Sequence, residues 1–113
     1  MKSKEIYLVN LNPTKGAEIK KARPCIIVSN DNIGILPLKI VVPLINYKDI
    51  HKNKSWLVTI EPSSLNGLSK ISTADTLNMR SVSDSRFIKK IGVISEDDYA
   101  KLVEAMKITL NIF

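Results

Sequence analysis

Short runs of apolar, β-branched residues separated by turn-forming residues recur along most of the chain. Such runs are typical of strands, because β-branched side chains fit a pleated sheet and Pro, Gly, Asn and Asp interrupt it. Gly34 and Pro37 mark the turn before the third run. No helical stretch separates the runs, so the sequence predicts an antiparallel sheet curled into a sandwich or small barrel. The runs cover residues 5–11, 24–29, 38–45, 55–61, 69–83, with room for one or two strands, and 87–94.

The last part of the chain has a helical period. Ser95 is a suitable N-cap, and the acidic residues that follow it favour the positive end of a helix. The apolar positions then recur at helical spacing, which indicates a face packed on the sheet. We therefore expect one mainly β domain over residues 1–113 with a C-terminal helix. Its apolar face would consist of Tyr99, Leu102, Val103, Met106 and Leu110.

The charge balance favours an anionic partner. Seventeen Lys and Arg against eleven Asp and Glu give a formal net charge of +6. A basic chain suits a polyanion such as a nucleic acid, although a solvated lysine-rich surface explains the same balance. The N-terminus lacks the apolar region of a signal peptide, and no segment approaches the roughly 18 apolar residues of a membrane span. We expect a soluble cytoplasmic protein that does not bind a membrane.

The chain offers few groups for metal or covalent chemistry. It contains one cysteine, Cys25, and one histidine, His51. Metal sites need clustered His, Cys, Asp or Glu ligands, so we expect neither a metal nor a cofactor. Cys25 lies in an apolar run and is interpreted as a buried core residue rather than a nucleophile. His51 lies in a polar segment, KDIHKNK, and is interpreted as a solvated surface residue; a ribonuclease with two catalytic histidines per chain is excluded.

A short cationic segment leads into the second predicted strand. The TKG turn of residues 14–16 can direct backbone N–H groups at a phosphate, and Arg23 is biased towards extended geometry because Pro24 follows it. A guanidinium held there can grip a phosphate with two hydrogen bonds. Alternatively, Arg23 forms a surface ion pair with Glu18 or another carboxylate, worth about 0 to 1 kcal/mol. Arg80 and Arg86 form a second cationic cluster, which is interpreted either as further phosphate-binding groups or as part of a solvated face.

The segment EIYLVNLNPTKGAEIKKARPCIIVSNDN, residues 5–32, closely resembles the opening motif of the MazF/PemK (Kid) family of toxin endoribonucleases. The similarity continues through IVVPL at residues 40–44, NMRSVS at residues 78–83 and the closing helix, and so covers nearly the whole chain. The residues in step with the family motif are Pro13, Gly16, Glu18, Arg23, Pro24 and Asp31.

The resemblance implies a fold, an activity and partners. The fold is an SH3-like antiparallel barrel of the CcdB/MazF/PemK type with five to seven strands. The chain would form a homodimer that binds single-stranded RNA in a basic groove across the interface. The implied activity is metal-independent, sequence-specific cleavage of mRNA by 2′-OH attack, leaving 2′,3′-cyclic phosphate and 5′-OH ends. A MazE/PemI-like antitoxin with an acidic, disordered tail would occupy the same groove.

The resemblance also assigns roles to residues. Arg23 corresponds to the family arginine that acts in acid/base transfer and stabilises the phosphorane charge; a fixed guanidinium is better suited to the electrostatic role. Glu18 corresponds to the family glutamate, which orients Arg23 or contacts RNA. The residues expected to contact RNA are Thr14, Lys15, Gly16, Lys20, Lys21, Asn46, Asn78, Arg80 and Arg86.

The chain departs from the family pattern at one catalytic position. Ile45 occupies the place of a threonine or serine whose hydroxyl helps to hold the scissile phosphate. Loss of one preorganised donor costs on the order of 10² to 10³ in rate. The chain is therefore an active enzyme that uses a neighbouring donor such as Asn46, an impaired member that binds RNA and antitoxin without cutting, or a toxin altered on purpose. A CcdB-like poison of DNA gyrase is a further alternative.

Overall fold

A computed structural model of the chain describes residues 1–33 and 36–113, and in it the chain is mainly antiparallel sheet with one C-terminal helix, as predicted. The predicted turn at Gly34 lies outside the described residues. The fifth predicted run divides into two strands, joined by a 3₁₀ turn. The elements are β1 Glu5–Asn10, β2 Ala22–Ile27, β3 Leu38–Asn46, β4 Leu57–Ile60, β5 Ser72–Asp75, β6 Arg80–Ser83, β7 Phe87–Val93 and α1 Glu96–Thr109.

The strands form one seven-stranded sheet in the order β4-β5-β3-β2-β1-β7, with β6 also paired to β3. Besides β2, strand β3 has two further partners: its first residues, from Leu38 to Val41, pair with β6, and its last, from Leu44 to Asn46, pair with β5. The sheet therefore divides at β3, and the described strands do not close into the expected barrel. The β4–β5 loop, residues 61–71, extends to strand β7 at the other edge of the sheet. There Val93 N donates to Leu65 O at 3.0 Å.

Both faces of the central strands are packed. Ile26 belongs to the core beneath α1, whereas its neighbours Cys25 and Ile27 belong to a second core on the opposite face. Alternate side chains of a strand point to opposite faces, so β2 contributes to both cores. Cys25 is fully buried, as predicted, and burial raises the pKa of its thiol to about 12. The thiolate form is thus disfavoured, and Cys25 is a packing residue.

Helix α1 begins as the sequence predicts. The side chain of Ser95 accepts a hydrogen bond from Asp98 N at 3.1 Å, and Leu102 and Ala105 are buried against the sheet. The prediction for Leu110 was wrong: this residue follows the end of α1 and is 54 % exposed. Within residues 1–33 and 36–113, no helix is long and apolar enough to span a membrane.

The interpretation of His51 as a solvated surface residue was also wrong. His51 is only partly exposed, and its Nδ1 lies 2.7 Å from the hydroxyl of Thr73 and accepts from Lys48 N at 3.2 Å. Since Nδ1 accepts from a backbone amide, the neutral ring carries its proton on Nε2. His51 therefore anchors the β3–β4 loop, residues 47–56, to strand β5.

Candidate functional site

Arg23 lies near the start of β2, where it pairs with Val9 of β1. Its Nε donates to the backbone oxygen of Lys20 at 3.3 Å. The surface ion pair with Glu18 is not formed, and none of the described carboxylates forms an ion pair with Arg23. One backbone contact thus holds the side chain, and the terminal guanidinium nitrogens remain available for an anion.

Arg23 borders a cavity of about 170 Å³, here called the Arg23 cavity. Two of its lining residues are cations, Arg23 and Lys70, and Asn46 adds an amide. Among the described residues, no carboxylate lines this cavity, so its field favours an anion. The lining residues are Arg23, Pro24, Leu44, Ile45, Asn46, Gly67, Leu68, Ser69, Lys70, Ser72 and Ile91.

Ile45 and Asn46 reach the Arg23 cavity from the end of β3. Ile45 lies directly opposite Thr73 of β5, and Asn46 lies opposite Ser72. The hydroxyl of Thr73 is buried and already bonded to His51, so it does not replace the hydroxyl that Ile45 lacks. Asn46 is exposed and lines the cavity. The amide of Asn46 is therefore the donor on β3 next to position 45, where Ile45 lacks a hydroxyl.

Lys70 is held in place by the β4–β5 loop. Asn66 is only 2 % exposed and fixes this loop, since its side chain accepts from Ser63 N and Leu68 N and donates to Glu61 O. At the end of the loop, Ser72 Oγ donates to the backbone oxygen of Lys70 at 3.1 Å. A loop fixed at both ends costs less entropy to order around a ligand.

The contribution of Lys70 to the cavity was missed from the sequence. The neighbouring dipeptide Asn66-Gly67 is a recognisable turn signal. However, nothing in the local pattern indicates that the loop folds back beside the start of β2.

Glu18 lies in a different cavity, of about 230 Å³, here called the Glu18 cavity. Arg80 and Asn78 line this cavity with it. Pro43 borders the Glu18 cavity and the next residue, Leu44, borders the Arg23 cavity, so the two are neighbours along β3. The structure therefore separates the two residues to which the family resemblance assigns catalytic roles.

Glu18 closes the TKG turn, which the sequence predicts to direct backbone N–H groups at a phosphate. Its carboxylate accepts from Lys15 N at 2.7 Å, while Glu18 N donates to Lys15 O at 3.1 Å. The backbone amide of Lys15 is thus already satisfied and is not free for a phosphate. Gly16 lies in the same turn with a φ of +55°, a conformation that favours glycine.

The predicted RNA contacts Asn78, Arg80 and Arg86 hold the β1–β2 loop, residues 11–21, and the end of β1. Asn78 accepts from Ile19 N at 3.1 Å, and Arg80 donates to Leu11 O at 3.1 Å. Arg86 donates to Asn10 O at 3.1 Å and also to Asn12 O. These side chains position the loop through its backbone, whatever they contact in a ligand.

The other predicted RNA contacts belong to the same loop. Lys15, Lys20 and Lys21 are exposed, and Thr14 is partly exposed. The loop is closed at its base, where Leu11 N donates to Lys21 O at 3.0 Å. It therefore presents its cations to solvent from a braced backbone. Elsewhere in the described ranges, no group of three or more His, Cys, Asp or Glu is arranged to hold a metal ion.

Comparison with known proteins agrees with this architecture. The family model for the PemK-like, MazF-like toxins of type II toxin-antitoxin systems matches residues 2–110. The chain belongs to this family. It is 27% identical over 116 residues to the endoribonuclease MazF9 of Mycobacterium tuberculosis, a match that covers 100% of this chain and 98% of the relative.

Solved structures of MazF-like toxins share the fold. An endoribonuclease bound to its cognate antitoxin, from a mycobacterial species, superposes with a TM-score of 0.80 at 17% identity, covering 100% of this chain and 97% of that one. MazF of Deinococcus radiodurans superposes with a TM-score of 0.78 at 22% identity, covering 98% and 96%. The expected fold, a mainly antiparallel sheet with a C-terminal helix, is thus confirmed, with a sheet that remains open.

Proposed function

We propose that residues 1–113 form one cytoplasmic toxin domain that cleaves single-stranded RNA without a metal, with the scissile phosphate in the Arg23 cavity. The observation that carries the proposal is the charge of this cavity, where Arg23 and Lys70 meet and no described carboxylate intervenes. Membership of the MazF-like toxins and the endoribonuclease activity of the relative MazF9 support it.

In the proposed reaction the RNA supplies its own nucleophile. The ribose 2′ oxygen forms a bond to the adjacent phosphorus, the bond from phosphorus to the 5′ oxygen breaks, and the proton lost by the 2′-OH is balanced by one gained at the 5′ oxygen. The products carry a 2′,3′-cyclic phosphate and a 5′-OH. Negative charge builds on the phosphorane, and preorganised cations and donors stabilise it more than they stabilise the starting phosphate.

The polar and charged residues in and around the Arg23 cavity have separate roles in this proposal. A guanidinium has five N–H donors and no acceptor, so Arg23 acts electrostatically. Lys70 adds a second positive charge, and the amide of Asn46 donates from the strand that carries Ile45. Glu18 acts indirectly, by fixing the turn at Lys15, and the cations of the β1–β2 loop attract the RNA strand.

The proposal includes two partners besides RNA. The mycobacterial relative was solved with its cognate antitoxin, and the net charge of +6 suits an acidic antitoxin segment. We propose that a MazE/PemI-like antitoxin binds over the same cations as RNA. A homodimer is proposed by analogy with the family, with the RNA groove running across its interface.

A second candidate function is RNA binding without cleavage. Ile45 lines the Arg23 cavity, and Thr73 opposite it has its hydroxyl engaged by His51. In this alternative the two cations retain the phosphate while the missing donor slows the chemical step. Strong, salt-dependent RNA binding without product formation would support it.

The test is incubation of the purified chain with a long, structure-poor RNA in EDTA, followed by mapping of the product ends. We expect cuts at a short recurrent motif with cyclic phosphate ends, and loss of cutting in Arg23→Ala. Lys101→Ala, on helix α1 and outside the cavity, is the matched control and should cut like the native chain. Undiminished cleavage by Arg23→Ala would contradict the proposal.

A further inference from the structure

A second cavity continues the Arg23 cavity towards the edge of the sheet. It has a volume of about 480 Å³, is here called the Lys89 cavity, and is lined by Leu8, Gly67, Lys89, Lys90 and Ile91. Gly67 and Ile91 line both cavities. The two cavities are therefore neighbours on one surface, and Gly67 and Ile91 lie between them.

The boundary between the two cavities is formed by close packing of Gly67 on Ile91. Gly67 has a φ of +66°, and a Cβ built on it would lie 2.3 Å from the backbone oxygen of Ile91. A side chain is thus sterically excluded at this point. Gly67 therefore packs directly on the backbone of Ile91, and this contact fixes the surface between the two cavities.

The two lysines of the Lys89 cavity differ in their charge balance. Lys90 is neutralised by Glu5, with Nζ and Oε2 2.7 Å apart, and this hydrogen bond raises the pKa of Lys90. Lys89 is exposed and forms no ion pair with any residue in the described part of the chain. The uncompensated positive charge of the cavity is therefore that of Lys89.

The strand register places Lys89 in line with Pro24, one of the residues that line the Arg23 cavity. Leu8 of β1 pairs with Lys89 on one side and with Pro24 of β2 on the other, and Pro24 lines the Arg23 cavity. Directly opposed residues in antiparallel strands project to the same face. Two strand spacings place the backbones of Lys89 and Pro24 about 10 Å apart on that face.

We infer that the Lys89 cavity is a second phosphate subsite, in which Lys89 binds an RNA phosphate flanking the scissile one. A single-stranded RNA that leaves the Arg23 cavity over Gly67 then meets the unpaired ammonium of Lys89. This inference rests on the proposed function for the nature of the ligand, but it concerns binding and does not require that the chain cuts.

Salt dependence of binding tests the subsite. The probe is a structure-poor RNA blocked against cleavage by 2′-O-methylation, and the native chain, Lys89→Ala and Lys101→Ala are compared by fluorescence anisotropy. Each phosphate contact to single-stranded nucleic acid contributes about 0.7 to the slope of log affinity against log salt. Lys89→Ala should lower that slope by this amount, so a fourfold rise in salt costs the native chain about 2.6 times more affinity than the variant. Lys101→Ala, with the same loss of charge on α1, should keep the native slope.

Neutral linkages then locate the contact. Methylphosphonate linkages, which carry no charge, are introduced one at a time into the same RNA. In the native chain we expect one flanking linkage to weaken binding, and in Lys89→Ala this linkage should have no further effect. The inference is overturned if Lys89→Ala and Lys101→Ala share one slope, or if every linkage has the same effect in Lys89→Ala as in the native chain.

The outcome is separable from that of the proposed function. If the native chain cuts RNA but Lys89→Ala keeps the native salt slope, the subsite is rejected and the ribonuclease proposal stands. If the native chain does not cut RNA but Lys89→Ala lowers the salt slope, the subsite stands and the cleavage proposal is rejected.

Discussion

Arg23 and Ile45 face one cavity from neighbouring strands, so the guanidinium shares its site with a hydrocarbon side chain. Both residues lie beyond the last β2–β3 pair, Cys25 with Pro43, at the end where the two strands border the cavity. A hydroxyl at position 45 would therefore project towards the same anion as Arg23. The cavity has the charge for a phosphate but lacks one donor beside it.

Ile45→Thr is expected to raise the rate of RNA cleavage. Removal of one preorganised donor costs about 10² to 10³ in rate, and restoring it should recover at least about tenfold because Asn46 supplies part of the effect. Both residues are β-branched, so strand β3 should be preserved. Single-turnover cleavage of a saturating RNA in EDTA measures the change.

Ile45→Val is the control for Ile45→Thr, because it keeps nearly the shape of threonine without the hydroxyl. It should cut at the native rate. Equal rates for Ile45→Thr and Ile45→Val would mean that a hydroxyl at this position does not reach the phosphate.

Asn78→Ala and Asn46→Ala are expected to separate loop support from ligand contact. Asn78 bonds to Ile19 N at 3.1 Å and to Asp75 at 2.9 Å, so its loss should cost about 1 to 3 kcal/mol and speed hydrogen exchange at the Ile19 amide. Asn46 is exposed at the Arg23 cavity, so Asn46→Ala should keep the stability and lower the cleavage rate.

Urea unfolding and hydrogen exchange measure the loss of loop support in Asn78→Ala. Single-turnover cleavage measures the loss of ligand contact in Asn46→Ala. Native exchange at Ile19 in Asn78→Ala, or a fall in stability in Asn46→Ala, would contradict the assignment.

The sequence was informative wherever the signal is local. Strand-forming runs, the N-cap at Ser95 and the apolar run around Cys25 depend on residues close in the chain, and the structure confirms them. The limits of β2 were less accurate, since the strand begins at Ala22 and includes Arg23. Pro24 is compatible with this extended geometry because it restricts the preceding residue to the β region.

The errors concern contacts between distant segments. His51 looks solvated from its polar neighbours, but its anchor is Thr73 on another strand. Lys70 joins Arg23 only because the β4–β5 loop folds onto β7. Such long-range juxtapositions depend on register and loop packing, which a period in the sequence does not encode.

Glu5→Gln is expected to flatten the dependence of stability on pH in acid. The hydrogen bond from Lys90 holds the pKa of Glu5 below its ordinary value of 4.5. Between the two values the unfolded chain binds more protons than the folded one, so stability rises with pH through this window and is lost as pH falls through the folded pKa.

Urea midpoints measured from pH 3 to pH 6 would show the effect of Glu5→Gln. Glu104→Gln, in the exposed ion pair with Lys107, is the control and should leave the slope near its native value. The same slope in Glu5→Gln and the native chain would show that the bond to Lys90 is not kept in solution.

Gly67→Ala is expected to destabilise the chain more than Gly16→Ala. Both positions have a positive φ, +66° and +55°, so each substitution carries a backbone cost of about 1 kcal/mol. A Cβ at Gly16 meets nothing within 4 Å, whereas one at Gly67 lies 2.3 Å from Ile91 O. Overpacking of this kind costs about 1 to 3 kcal/mol more. Urea unfolding measures the difference between the two variants. Equal destabilisation would mean that the β4–β5 loop moves away from Ile91, and the surface between Arg23 and Lys89 would then not be fixed before RNA binds.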